Sequence, residues 1–284
     1  MNKKVIAKNK EHLKALIEKE MSLNGPHCNL NYIDTSLITD MSFLFQESDF
    51  TGDVSKWNTS NVEIMSYIFS ESLFNGDISQ WDVSSVKNMC GMFYKSQFNG
   101  DISRWDTSNV IIMDSLFMYS AFNGDISQWN TLNVKNMRQM FFESKFSGNI
   151  SKWNVENVIN MREMFYKSSF NGDISKWNTQ KVTNMRQMFS YSEFNGDISQ
   201  WNVCSVQDME GSFYKGAFNG DISDWSALKV ERINSIFDDK NKYPYWAQIK
   251  DLEERIQAIE IYKTKKILNT LIDKDLNKSN NIKI

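Results

Sequence analysis

The chain has 284 residues, 41% hydrophobic and 24% charged, so its composition supports a buried core and excludes a disordered chain. The formal net charge is −3, but the segment 28–237 carries 16 Lys/Arg against 24 Asp/Glu. This acidic segment argues against a nucleic-acid partner, because phosphate binding needs a basic surface. Cys28, Cys90 and Cys204 lie far apart without a CxxC pair, which is typical of free thiols in a reducing compartment.

The first twenty residues are basic but lack the apolar stretch of a secretory signal, and no run of 18 apolar residues occurs anywhere. We therefore expect no membrane span. The missing signal favours a cytoplasmic location.

An amphipathic helix is predicted over residues 10–23. Asn9 is suited to cap its start, and Gly25-Pro26 stops it. Its apolar face consists of Leu13, Leu16, Ile17 and Met21. The sequence therefore predicts an N-terminal helical cap within residues 1–27.

Residues 28–237 repeat a sequence close to FNGDISxWN every 24 residues. The repeat places tryptophan at Trp57, Trp81, Trp105, Trp129, Trp153, Trp177, Trp201 and Trp225. A degenerate copy with Ile33 in the tryptophan position precedes these eight. A fixed period of this length indicates a solenoid, in which each unit packs on its neighbours.

Residues 74–97 illustrate one unit. Asn75-Gly76 is a turn signal, the residues from Gln80 to Val83 alternate polar and apolar as in a strand, and Val86, Met89, Met92 and Phe93 have helical spacing. We therefore predict an α/β repeat solenoid in which parallel strands form one face and short helices the other.

Residues 238–284 form a separate segment without the repeat. A helix is predicted to begin at Tyr243-Pro244-Tyr245, and an apolar stripe follows at Trp246, Ile249, Leu252, Ile256, Ile259, Leu268, Leu271 and Ile272. An open solenoid end needs a cap. The stripe is longer than one cap requires, so a partner-binding helix or a homodimer contact is the alternative.

The repeat FNGDISxWN, followed by columns such as Val86, Met89 and Phe93, resembles the BspA-like class of bacterial leucine-rich-repeat proteins, which is also common in mycoplasmas. Ile78, Trp81 and Val83 resemble the leucines of the LxxLxL core. The resemblance implies an arc with strands on its inner face, protein binding and no catalysis. It also implies a surface or secreted location as the alternative to the cytoplasm.

Two repeated columns have a structural and a functional interpretation. The tryptophans are either a buried core column, which we favour, or an exposed stacking platform for sugars or bases. The second column is acidic apart from Asn149 and consists of Asp53, Asp77, Asp101, Asp125, Asp173, Asp197 and Asp221. These carboxylates either accept hydrogen bonds within turns, which we favour, or bind Ca²⁺. A third column, one residue after each tryptophan, is Asn or Asp in every unit except at Ser226 and predicts a structural hydrogen-bonding ladder.

Two variable columns are candidate protein contacts. One lies just before the tryptophans and consists of Lys56, Gln80, Arg104, Gln128, Lys152, Lys176 and Gln200. The other follows the core phenylalanine and includes Tyr94, Phe142 and Tyr166. A solvated surface and packing between adjacent units are the respective alternatives.

The sequence gives little support for catalysis. His12 and His27 are the only histidines, and no nucleophile, phosphate-binding or metal-binding motif occurs. We therefore expect no enzyme activity, no cofactor and no metal. The favoured function is a protein-binding scaffold for an unidentified protein partner, with host or cell-surface interaction as one setting. The alternative is an intracellular effector or immunity-type protein that sequesters one target.

Overall fold

The computed structural model describes residues 4–239 and 244–280, with side chains up to residue 272. Strand β1 (Val5–Ile6) precedes helix α1 (Lys10–Asn24), and strand β2 (Ile33–Asp34) follows it. A 3₁₀ helix spans Tyr245–Gln248, and helix α2 spans Leu252–Asn280. The two strands are parallel, with Val5 opposite Ile33.

Helix α1 confirms the helix predicted over 10–23. The Asn9 side chain accepts a hydrogen bond from the His12 backbone N–H at 2.9 Å. Gly25 ends the helix with φ of 77°, a conformation that favours glycine. Leu13 and Ile17 are buried against the first repeat.

The repeats form a solenoid in which each 24-residue unit makes one coil. Side chains at the same position of successive units stack into columns, and these columns fill the interior. Five such columns are represented by residues that are at most 3% exposed: Ile78, Trp81, Val86, Met89 and Phe93. The aromatic rings continue through the core. Phe93, Phe117 and Phe141, for example, stack with centroids 5.7 and 5.8 Å apart.

The strand and helix predicted inside each unit are wrong. Residues 80–83 form no strand and residues 86–93 no helix; turns lie instead at 79–80, 84–85 and 90–95. The Trp81 N–H donates to Ile78 O at 3.1 Å and the Val86 N–H to Val83 O at 2.9 Å. The apolar spacing of three and four residues comes from a turning chain that faces inward repeatedly. It does not come from a continuous helix.

Parallel pairing between coils occurs instead along residues 88–95. Isolated β-bridges join Asn88 to Ile112, and Ile112 to Asn136. Within this segment alternate N–H groups donate to the next coil, as from Met89 to Ile112 O at 3.0 Å and from Phe93 to Leu116 O at 3.0 Å. Intervening N–H groups bond within their own coil, which prevents a regular strand.

Asx turns shape each coil. Asp77, Asp82 and Asn88 each accept a hydrogen bond from the backbone N–H two residues later. Gly76 does not have the positive φ suggested by its Asn-Gly turn signal. It is required because a Cβ there would lie 2.8 Å from the Phe74 ring.

The C-terminal segment covers the last coil. The Trp246 indole N–H donates to Ile222 O at 3.3 Å, and the Arg255 side chain of α2 is 1% exposed. Lys263 and Lys266 reach Ser226 and Asp224. At the two positions that these lysines contact, the eighth unit has Asp224 and Ser226, where the other seven units with tryptophan have Lys, Arg or Gln and Asn or Asp. The predicted start at Tyr243 lies outside the described residues.

Neither helix in the described ranges combines the length and hydropathy needed to cross a membrane.

Candidate functional site

Two outer walls enclose the aromatic core. We call residues 78–85 and their equivalents the tryptophan wall, and residues 87–95 and their equivalents the bridged wall. Phe93 from one wall meets Trp105 from the other at 6.4 Å between ring centroids. Side chains that point outward from the two walls therefore face different sides of the molecule.

The tryptophan column is buried, as a core column requires. All eight rings are 2–4% exposed. Trp105, Trp129 and Trp153 stack at 6.4 Å, and the Trp129 indole N–H donates to Ile102 O at 3.0 Å. Neither ring face is open to a ligand, which removes the stacking-platform interpretation.

The acidic column forms turns. Asp101, Asp125 and Asp173 each accept the backbone N–H of the serine two residues later at 2.8–2.9 Å. These bonds lower the pKa of all three carboxyls below the usual range. Among the described residues, no three His, Cys, Asp or Glu side chains converge into a metal-binding group.

The Asn/Asp column that follows the tryptophans makes regular structural hydrogen bonds, as predicted, but these bonds form turns within one coil and do not join successive coils. Asp106 accepts from Ser108 N–H at 3.0 Å. The ladder between coils comes from a different column, in which Asn99 N–H donates to the Asn75 side chain and Asn123 N–H to the Asn99 side chain.

The charged column lies along the tryptophan wall. All seven side chains are exposed: Lys56, Gln80, Arg104, Gln128, Lys152, Lys176 and Gln200. Three of the glutamines bond only to the adjacent serine, at 3.1–3.3 Å. In the described part of the chain these seven make no hydrogen bond or ion pair with one another, so the column is a row of separate solvated side chains.

The aromatic column on the bridged wall forms a continuous surface. Six rings contact in sequence, and we call them the aromatic strip: Tyr94, Tyr119, Phe142, Tyr166, Tyr191 and Tyr214. Phe142 and Tyr166 stack at 4.5 Å, whereas the other contacts are edge-on at 5.4–6.1 Å. Tyr119 and Tyr191 remain 39% and 40% exposed.

Sequence reasoning missed Tyr119 and Tyr191, because each lies one residue later than the column around Tyr94. In a helix that shift would turn the side chain by about 100°. Here both residues have positive φ, 56° and 55°, which brings their rings into the strip.

Lysines lie over the strip. Lys95, Lys167 and Lys215 sit 5.1, 5.6 and 5.4 Å from the ring centroids of Tyr94, Tyr166 and Tyr214. Glu71 and Glu143 pair with the first two lysines at 3.3 and 3.1 Å. The strip therefore combines aromatic area with lysines, two of which are matched by glutamates.

An arginine column lies beside the strip and was also missed. Arg138, Arg162 and Arg186 occupy equivalent positions in three consecutive coils. Glu163 pairs with Arg162 at 2.9 Å, and Glu210 pairs with Arg186 at 2.9 Å. The signal was visible in the sequence as a run of identical residues 24 apart, in a segment interpreted as the outside of a helix.

The coil before Arg138 carries a half-buried carboxyl. Asp114 accepts a hydrogen bond from the Asn136 side chain at 2.6 Å, while its other oxygen is buried without a partner. Burial raises the pKa of Asp114 to about 6. Burial also raises the pKa of the neighbouring Cys90 thiol, which disfavours its reactive thiolate form.

Comparison with known proteins gives one family. No curated protein and no solved structure matches the chain. One family model matches four times, over residues 12–119, 73–169, 142–248 and 168–271. The matches overlap and cover most of the chain, in keeping with tandem repetition. The chain therefore belongs to the family described as "Mycoplasma protein of unknown function, DUF285".

Proposed function

We propose that this chain is a non-catalytic protein-binding scaffold and that the bridged wall makes the contact. The aromatic strip, with the arginine column beside it, carries this proposal. Tyrosine, phenylalanine, methionine and arginine are enriched where proteins meet, and tyrosine and arginine dominate binding energy. The charged column of the tryptophan wall offers no comparable contiguous area.

The strip suits a protein better than a small molecule. Its rings follow one another over six units, from Tyr94 to Tyr214, on an open surface. Small-molecule sites are instead concave and enclose most of their ligand. A rigid row of this length matches an extended partner surface.

We also propose that the array curves with the bridged wall inside. The resemblance to BspA-like leucine-rich repeats instead implies the tryptophan wall as the inner face, because it equates Ile78, Trp81 and Val83 with the LxxLxL strand. Phenylalanine centroids of successive coils lie 5.6–5.8 Å apart at Phe117, Phe141 and Phe165. Trp105, Trp129 and Trp153 are 6.4 Å apart, whereas paired backbones are about 4.8 Å apart. The spacing thus widens from the bridged wall toward the tryptophan wall.

The test compares two double variants for capture of the same protein. Immobilised full chain is mixed with a lysate of the cells that produce it, and only proteins displaced by free wild-type chain count. Y119S/Y191S removes the two most exposed rings, and Q80A/Q128A alters the tryptophan wall. We expect the first variant to lose capture by at least about tenfold and the second to retain it.

Loss of capture in Q80A/Q128A alone would move the contact to the tryptophan wall. Absence of any displaceable protein would refute the scaffold function itself. Both variants are checked by thermal unfolding, since neither pair of side chains belongs to the core.

We propose in addition that α2 joins two copies of the chain. Beyond its contacts with the last coil, Ile261, Leu268 and Ile272 stay 55%, 52% and 55% exposed and lie on one stripe of the helix. Light scattering should show a concentration-dependent dimer that L268E/I272E abolishes. A wild-type chain that stays monomeric at high concentration refutes this contact.

A further inference from the structure

The array has a basic centre between acidic ends. Residues 135–191 contain nine Lys/Arg and four Asp/Glu. Residues 28–134 and 192–237 together contain seven Lys/Arg and twenty Asp/Glu. Because all units have the same length and fold, the change in net charge along the array comes from the outward side chains and not from the backbone.

The bridged wall concentrates unneutralised charge within this centre. Lys135 and Arg138 are exposed, and neither forms an ion pair with any described residue. In the next coil, Arg162 uses Nε and Nη2 to bind one oxygen of Glu163, at 3.0 and 2.9 Å. The other Glu163 oxygen accepts from Gln139 at 2.6 Å. We call Lys135, Arg138 and Arg162 the cluster. Of these three cations only Arg162 pairs with a buried carboxylate, while the charge of Arg138 acts on the half-buried Asp114 carboxyl.

The cluster has defined borders along the array. On one side Arg186 is held by both oxygens of Glu210, at 2.9 and 3.2 Å, so its charge is already matched. On the other side stands the half-buried Asp114. Next to the cluster, Phe142 and Tyr166 from the same two coils stack at 4.5 Å. Cations and aromatic rings of the same two coils therefore lie along one wall.

We infer that the central bridged wall docks an acidic segment of the partner protein, with its carboxylates on Lys135, Arg138 and Arg162 and its apolar side chains on Phe142 and Tyr166. Guanidinium groups bind carboxylates through paired, charge-assisted hydrogen bonds. This inference rests on the proposed function and specifies the chemistry of its partner.

The acidic ends of the array favour a short segment over a nucleic acid. The two coils of this site span roughly 10 Å at the spacing of paired strands, which is about the length of three extended residues. A longer polyanion would run onto the acidic repeats on either side and meet like charge. A peptide segment can present its carboxylates only where the cations lie.

The test measures fluorescence anisotropy of short labelled peptides with the full chain. One peptide alternates glutamate and tyrosine, and its matched partner has glutamine in place of every glutamate. We expect the glutamate peptide to bind at least about tenfold more tightly, with an affinity that falls as salt rises. R138Q/R162Q should lose most of this preference. K152Q/K176Q removes equal charge from the tryptophan wall of the same central repeats and should keep it.

Three outcomes would overturn the inference. The two peptides could bind equally, K152Q/K176Q could weaken binding as much as R138Q/R162Q, or single-stranded oligouridylate could bind more tightly than the acidic peptide. Equal binding of both peptides that is still lost in Y119S/Y191S would leave the proposed function standing. K152Q/K176Q should melt as the wild type does, because both lysines are exposed. R162Q removes the cation paired with the buried Glu163, so R138Q alone, at an exposed position, must also weaken the preference for the glutamate peptide.

Discussion

At the scale of single residues, the tryptophan column links burial with hydrogen bonding. Trp129 is 3% exposed, stacks between Trp105 and Trp153, and donates its indole N–H to Ile102 O. Trp129→Ala opens a cavity and removes one of two donors to that carbonyl, which keeps the Trp105 backbone N–H at 3.3 Å. We expect a loss of about 3–5 kcal/mol of unfolding free energy, measured by urea titration.

Trp129→Phe separates the two contributions. It keeps an aromatic ring in the stack but removes the indole N–H, so the loss should be smaller, about 1–3 kcal/mol. An alanine variant with an unchanged urea midpoint would show that this ring does not support the core.

Asp114 gives the clearest dependence on pH. Its folded-state pKa is raised to about 6 from 3.8, so the fold favours the protonated carboxyl. The protonated Asp114 therefore contributes to folding stability fully at pH values below the unfolded-state pKa, and this contribution is lost as pH rises through about 6. Asp114→Asn should therefore stabilise the chain at pH 8 by about 1–2 kcal/mol, after allowance for partial exposure, and should have little effect near pH 4.

Asp125→Asn is the matched control. Asn149 occupies the equivalent position and forms the same turn, so asparagine keeps the hydrogen bond to the backbone. The pKa of Asp125 is lowered, so its effect on stability varies only at more acidic pH. A gain in stability for Asp114→Asn that stayed constant from pH 4 to pH 8 would contradict the assigned cause.

At the scale of elements, the sequence predicted which residues are buried better than it predicted their secondary structure. The columns of Ile78, Trp81, Met89 and Phe93 are buried, as their apolar character indicates. The strand and helix were wrong because short apolar spacings do not distinguish a helix from a chain of turns that faces a core repeatedly.

The conformation that replaces the helix leaves little trace in composition. Each coil before the last has positive φ at two positions four residues apart, but most of these positions hold residues other than glycine. Tyr67, Ser115 and Gln139 occupy the site where Gly91 has φ of 58°. Hydrogen bonds to the neighbouring coil hold them there, and a pattern within one unit does not reveal such bonds.

The aromatic strip was predicted only in part, because a sequence pattern does not reveal positions with positive φ. Tyr94, Phe142 and Tyr166 were identified from one column, while Tyr119 and Tyr191 join them only because of their backbone conformation. The binding role of the surface remains a prediction that the capture experiment addresses.

Arg255 is expected to hold α2 on the last coil. It is 1% exposed, and its guanidinium donates to the backbone carbonyls of Ile249, Lys250 and Val230. Burial lowers its pKa, in line with a desolvated charge held by neutral acceptors. Arg255→Leu leaves three carbonyls without this donor.

We expect amide hydrogen exchange in residues 252–259 to rise at least about tenfold in Arg255→Leu, while the central coils stay protected. Lys265→Ala, on the exposed side of α2, serves as the control and should exchange as the wild type does. If Arg255→Leu leaves exchange in α2 unchanged, the helix is held by its apolar contacts alone.

At the scale of the whole molecule, fold and recognition use different residues of the same repeat. Inward columns and turn residues vary little from coil to coil, whereas charge on the outward columns reverses between the centre and the ends. Each coil bonds to its two neighbours, so outward residues can change without disturbing the core. This separation explains how near-identical units can carry one localised surface.

Excision of one full unit tests this separation directly. Removal of residues 122–145 joins Ala121 to Phe146, which has the same place in the repeat as Phe122. The neighbouring coils can then form the same hydrogen bonds, so we expect a folded chain whose melting temperature falls by only a few degrees. Because the excised unit contains Lys135, Arg138 and Phe142, binding of the acidic peptide should be lost although the fold survives.

Removal of residues 134–145, half a unit, is the control. It shifts every later column out of register and should unfold the array, as followed by tryptophan fluorescence during heating. A full-unit deletion that unfolds as completely as the half-unit deletion would show that the coils are not interchangeable.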